Sequence, residues 1–118
     1  MEKYIILADS ALDLSEEMRT YCGLETYLPG HINFKGTDMT TPLDWSNFSR
    51  EEFYAAVGGR NMDVSTAPPS PEEYYQAFTK YVTDGYKVLS ISLSSKISST
   101  YGVACGAADR VRSEHPDA

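Results

Sequence analysis

Hydroxyl side chains concentrate in two short segments of this 118-residue chain. One is Val64-Ser65-Thr66-Ala67-Pro68-Pro69-Ser70. The other is Leu93-Ser94-Ser95-Lys96-Ile97-Ser98-Ser99-Thr100-Tyr101. Each leads into an expected helix, so Ser/Thr donors stand beside backbone N–H groups that lack intrahelical partners. That combination holds a small anion without a metal or a fixed positive charge. Each segment also has a plainer reading. Ser98 or Ser99 caps its own helix, and the Ser65 to Ser70 stretch is a polar connector ending in an N-cap.

Other candidates for chemistry are sparser. Asp9-Ser10-Ala11-Leu12-Asp13-Leu14 places two carboxylates around a small loop, too few ligands for a metal, and His31 and His115 have no ligand spacing. Asp9 and Ser10 are therefore expected to organise the loop. A serine-dependent hydrolase or phosphotransfer component, with Ser98 or Ser94 as nucleophile and Asp9 nearby, is the alternative reading. It lacks a GxSxG elbow and a histidine with a recognisable base role. P-loop and GxGxxG patterns are absent, so no catalytic residue, metal or cofactor is assigned. Cys22 and Cys105 show neither metal spacing nor CxxC and are expected to be buried, inert thiols in a reducing compartment.

The formal net charge is −7, and no Lys/Arg cluster is longer than a pair. Nucleic acid needs a basic face and is excluded as a partner, and anionic membranes are disfavoured. No apolar run approaches the roughly 20 residues of a membrane span. The start, Met1 to Ala8, reads as a strand rather than a secretory signal. These features describe a cytoplasmic α/β domain.

The elements that must position the hydroxyls follow from periodicity and punctuation. Lys3 to Ala8 reads as a buried strand. Ser15 caps a helix through Cys22 that stops at Gly23. Leu24 to Leu28 and His31 to Phe34 read as strands, and residues 35–47 as polar and turn-rich without a period. Capping boxes open helices at Ser49 and at Ser70, the first ending at Gly58-Gly59 and the second at Asp84-Gly85. In the second, Tyr74, Phe78 and Tyr81 share a face. A strand over Lys87 to Ser92 and a helix from about Ser99 toward Arg112, rich in Gly and Ala, complete the chain. The alternation implies a mostly parallel sheet with helices packed on its faces. Ligands of such sheets bind beyond the carboxyl ends of the strands, where Asp9-Ser10 and Leu93 to Ser98 both fall.

Taken in order, four segments resemble the DegV family of bacterial lipid-binding proteins. Ile5 to Leu14 is similar to its opening strand and D-S-x-x-D-L loop. Ser49 to Phe53 resembles its S-x-E-E-F helix start, and Ser65-Thr66-Ala67-Pro68 falls where T-S-Q-P is usual. Ile91 to Tyr101 resembles I-S-S-x-L-S-G-T-Y. The resemblance implies the N-terminal lobe of a two-domain fold, lacking the C-terminal lobe that completes a tunnel. It further implies a binding protein for one long-chain fatty acid, with the carboxylate held by Ser65, Thr66, Ser98 and Ser99. Some members present the bound acid to a fatty-acid kinase subunit. A bare lobe is expected to expose apolar surface, through which it would self-associate or bind a small apolar molecule. Ser99 replaces the family's glycine, which matters only where φ is positive or the backbone is closely approached. Ser65-Thr66 inverts the usual order, and Ala67 replaces glutamine.

Overall fold

In the computed structural model, residues 2–12, 14–24, 26–42, 46, 48–58 and 64–118 are described. The element order is β1 (Lys3–Ala8), α1 (Glu16–Tyr21), β2 (Gly30–Phe34), β3 (Thr37–Thr41), α2 (Arg50–Val57), β4 (Val64–Ala67), α3 (Pro71–Thr83), β5 (Tyr86–Ile91) and α4 (Thr100–Glu114), with a single 3-10 turn at Ser10–Leu12. The class is α/β, and the strands divide into two sheets. β1 and β5 pair in parallel, and β3, β2 and β4 form an antiparallel sheet in that order. Parallel pairing among the described strands is thus confined to β1 and β5, plus one isolated bridge between Asp9 and Leu28.

The capping chemistry is what the sequence dictates. Ser15, Ser49 and Ser70 each accept an N–H from three residues on, at 3.2, 3.1 and 3.1 Å. Pro71 opens α3, and acidic residues fill the first turns of α1, α2 and α3. Gly59 and Asp13 lie outside the described residues.

Three expectations are corrected. Leu24 and residues 26–28 form no strand, Leu28 making only the isolated bridge to Asp9, and Glu25 lies outside the described residues. Leu24 N–H bonds the Arg19 carbonyl (3.0 Å), and the Arg19 guanidinium bonds the Leu24 carbonyl (2.7 Å), so both groups are committed to closing α1. The turn-rich stretch after Phe34 contains β3, joined to β2 by the two-residue turn Lys35-Gly36. Both turn residues have positive φ (53° and 82°), which matches the strand twist of a tight hairpin, and Gly36 adopts it without steric cost. The cysteines are not buried: Cys22 ends a short, exposed helix, and Cys105 is half-buried.

One hydrophobic core lies where α3 and α4 cover a single face of the β1–β5 pair. Leu7, Tyr74, Phe78, Ala104, Ala107 and Val111 are its buried members. Ala104 and Ala107 let α4 approach closely, whereas Gly102 and Gly106 of the same helix face open space. The opposite face of the pair leaves Tyr4, Ile6, Leu89 and Ile91 exposed. A second cluster stacks Phe34, Phe48 and Phe53, with ring centroids 4.5 and 5.8 Å apart, tying α2 to the antiparallel sheet. The radius of gyration is 15.9 Å, against about 13.5 Å for a compact chain of this length. Among the described residues, no helix is long and apolar enough to cross a membrane.

Candidate functional site

A hollow lies beyond the carboxyl ends of β1 and β5 and extends along the adjoining end of the antiparallel sheet. Its volume is about 910 Å³, at the upper end of small-molecule sites. Thr66 from β4 and Ser98, Ser99 and Thr100 from the β5–α4 connection line it together, as do Asp9 and Ser10. Residues separated by more than thirty positions therefore share one cavity.

Strand register explains which half of the Ser65-Thr66 pair participates. Thr66 lies opposite Ile32, a buried residue that also lines the hollow, while Ser65 lies opposite Asn33. Alternation places Ser65 on the side opposite Thr66, and of the residues on that side only His31 and Ala67, near the strand ends, border the hollow among the described residues. The structure does not bring Ser65 to the cavity.

At the other wall, the carbonyl of Ser94 accepts the N–H groups of Ile97 and Ser98, at 2.9 and 3.0 Å, which curls the connection into α4. The Thr100 N–H donates to Ser98 Oγ (3.2 Å), and Ser98 Oγ and Thr100 Oγ1 lie 2.7 Å apart. Two hydroxyl protons belong to that pair and one is used within it. The other has no acceptor among the described residues and remains available to a ligand. Ser99 makes no side-chain cap and has φ −76°, an ordinary value for any residue, so serine in place of glycine imposes no backbone strain. Val103 N–H bonds the Ser99 carbonyl (3.1 Å), leaving the Tyr101 and Gly102 amides ahead of the first intrahelical bond.

The β1 end is more tightly organised. Asp9 is buried, and its Oδ1 accepts the Ala11 N–H at 2.7 Å. Its Oδ2 accepts the Tyr74 hydroxyl at 3.4 Å. Burial first, and the neighbouring Asp9 charge second, push the Tyr74 phenol well above its ordinary value. Ser10 Oγ accepts the Gly30 N–H (2.9 Å) and lies 2.5 Å from Thr41 Oγ1.

Sequence reasoning missed three contributors to the hollow. Arg50 and His31 bring basic side chains to its lining, and Thr41 brings a hydroxyl. His31 Nε2 is 2.6 Å from Glu73 Oε1, and no hydrogen bond joins it to a serine among the described residues. The Ser94 hydroxyl accepts the Lys96 N–H. Arg50 opens α2 and Thr41 ends β3, and neither position has a local sequence signature. The apolar wall is supplied by Ile32, Phe48, Phe53, Leu93 and Ile97.

Comparison with known proteins bears on this geometry. A family described as uncharacterised proteins of the DegV family matches residues 3–117. A DegV domain-containing protein of Clostridium acetobutylicum is 35% identical over 114 residues, covering 97% of this chain and 39% of the relative. One from Staphylococcus aureus is 32% identical, covering 94% and 38%. Among solved structures, a stearic acid-binding protein from Eubacterium ventriosum superposes with TM-score 0.79 at 30% identity, covering 98% of this chain and 39% of its own. A fatty-acid-binding DegV family protein from Thermus thermophilus gives 0.76 at 26% identity, covering 92% and 38%. The chain thus spans about two fifths of the length of the relatives it matches.

Proposed function

Since the chain belongs to the DegV family, we propose that its hollow receives the carboxylate of a long-chain fatty acid, with the acyl tail against the apolar wall. The observation that carries this reading is the convergence of Thr66 and Ser98 on one cavity. An isolated carboxylate is costly to remove from water unless several donors meet it. The spare proton of the Ser98–Thr100 pair, the Thr66 hydroxyl and the free amides at the start of α4 are such donors. The fatty-acid binding attributed to the two superposed structures agrees.

The tail provides most of the affinity, at roughly 0.8 kcal/mol for each CH₂ buried, and the hydroxyls set its direction. We assign these residues to the N-terminal lobe of a two-lobed fold, with a second lobe closing the groove over the tail. A protein of this kind serves as a lipid carrier, or presents the acid to a fatty-acid kinase, with no catalytic residue of its own. Two unpaired cysteines suit a reducing compartment, and we place the protein in the cytoplasm. The uncovered apolar face of β1 and β5 is the surface through which two copies would associate.

Titration calorimetry with stearic acid tests the central claim. Thr66→Val and Ser98→Ala are each expected to weaken binding about tenfold or more, the worth of one hydrogen bond to a charged group. Unchanged affinity in both variants would remove the head group from this cavity.

A further inference from the structure

Ser10 was expected to organise its own loop, yet the loop is held by Asp9, whose Oδ1 takes the Ala11 N–H. The Ser10 hydroxyl reaches instead across twenty residues to the Gly30 N–H and across thirty-one to Thr41 Oγ1. Ser10 follows β1 of the parallel pair, whereas Gly30 begins β2 and Thr41 ends β3 of the antiparallel sheet. One hydroxyl therefore joins the two sheets at the rim of the hollow. From the geometry we infer that Ser10 and Thr41 form a clasp that positions the donors of one wall relative to those of the other.

The clasp matters because the proposed head-group donors stand on different sheets. Thr66 rides on β4, which is registered to β2. Ser98 and Thr100 follow β5, which is registered to β1. Backbone contact between the two bodies at this edge is slight: the Asp9–Leu28 bridge, made by Leu28 N–H to the Ala8 carbonyl (2.8 Å) and Ser10 N–H to the Leu28 carbonyl (3.1 Å). A single bridge leaves an angle to be fixed by further contacts; the His31–Glu73 pair is one such contact on the α3 side (2.6 Å), and the rim of the hollow needs its own. The Ser10 hydroxyl supplies it two residues farther along, at Gly30.

Gly30 is built for this approach. A Cβ placed on it would meet the Ala67 carbonyl at 3.2 Å, Thr41 Oγ1 at 3.3 Å and Ser10 Oγ at 3.4 Å. Ala67 directly follows Thr66, so the oxygens gathered around Gly30 tie the clasp to the strand that carries a head-group donor. Removing the Ser10 hydroxyl takes a part-buried acceptor from the Gly30 N–H and frees Thr41 Oγ1 from this partner.

This inference rests on the fatty-acid reading, and it separates from that reading by comparing two ligands. Stearic acid and methyl stearate have the same tail, and only the acid needs donors held at a fixed spacing. The full chain and its Ser10→Ala, Ser10→Thr and Thr41→Val variants are titrated with both, and circular dichroism verifies folding. For the wild type, acid is expected to bind more tightly than ester. Ser10→Ala should shrink that preference about tenfold while ester affinity stays within twofold, Ser10→Thr should restore it, and Thr41→Val should reduce it by a smaller factor. If Ser10→Ala fails to fold, Thr41→Val alone decides, because it keeps the Gly30 bond. Equal weakening of both ligands, or an unaltered preference in Thr41→Val, overturns the clasp. A wild type that binds no acid overturns the fatty-acid reading, and the clasp with it.

Discussion

Tyr74 and Asp9, sixty-five residues apart, meet in the interior where α3 crosses the end of β1, the phenol donating to Asp9 Oδ2 at 3.4 Å. Tyr74 is 1% exposed and Asp9 4%. The bond is long, so its electrostatic consequence exceeds its strength. A buried phenol beside a carboxylate resists ionisation, and its pKa is raised. In the unfolded chain tyrosine ionises near pH 10. The neutral phenol's contribution is therefore complete below about pH 10 and is lost as pH rises toward the folded value, by up to about 1.4 kcal/mol per pH unit. Urea melts between pH 8 and 11.5 are expected to show stability falling above pH 10, and Tyr74→Phe should flatten that fall. An equally steep decline in the variant would assign it to other groups.

Helix caps give a second prediction, in which two serines of similar appearance behave differently. Ser70 accepts the Glu73 N–H, whereas Ser99 at the start of α4 makes no side-chain cap. Ser70→Ala should cost about 1 kcal/mol, and Ser99→Ala less than about half of that, by chemical denaturation. Equal losses would mean that Ser99 caps α4 in solution.

The comparison of caps also shows what the residues reveal locally and what they conceal. Caps, helix faces and the β1 and β5 strands are local properties, so Ser15, Ser49 and Ser70, the Tyr74–Phe78 stripe and the apolar run Ile5 to Ala8 were legible in order. The antiparallel sheet was legible only at β2. β3 has no buried side chain, and its threonines carry β propensity without an apolar alternation. β4 is four residues long and runs directly into two prolines, so it reads as a connector. Its pairing with β2 decides that Thr66 and not Ser65 lines the hollow, and such pairing is a relation between segments. Arg50, His31 and Thr41 were invisible as site residues for the same reason.

The bare sheet face yields a third prediction. Leu89 is 57% exposed beside Ile6, its register partner on β1. Parallel sheets are normally covered on both faces. The 118-residue chain is expected to scatter light as a species larger than a monomer and to bind an apolar dye. Leu89→Lys should shift it toward monomer and reduce the dye signal, with its circular dichroism spectrum retained. A monomeric wild type without dye binding would show that this face is not sticky in solution.

Arg50 carries the last prediction. It is the first residue of α2, where a positive side chain opposes the helix dipole, so helix stability gives no reason for arginine there. It lines the same cavity as Thr66 and Ser98, which gives a cation to the wall of the proposed carboxylate site. An attraction of this kind acts over distance and is screened by salt, with a Debye length of about 10 Å at 0.1 M and about 3 Å at 1 M. Arg50→Gln should weaken stearate binding about fivefold at low salt, in the range of a solvated ion pair. Affinity of the wild type should fall between 0.05 and 0.5 M NaCl (about one decade in salt), with the variant nearly insensitive. Parallel salt dependence in the two proteins would show that the arginine borders the cavity without acting on the ligand's charge.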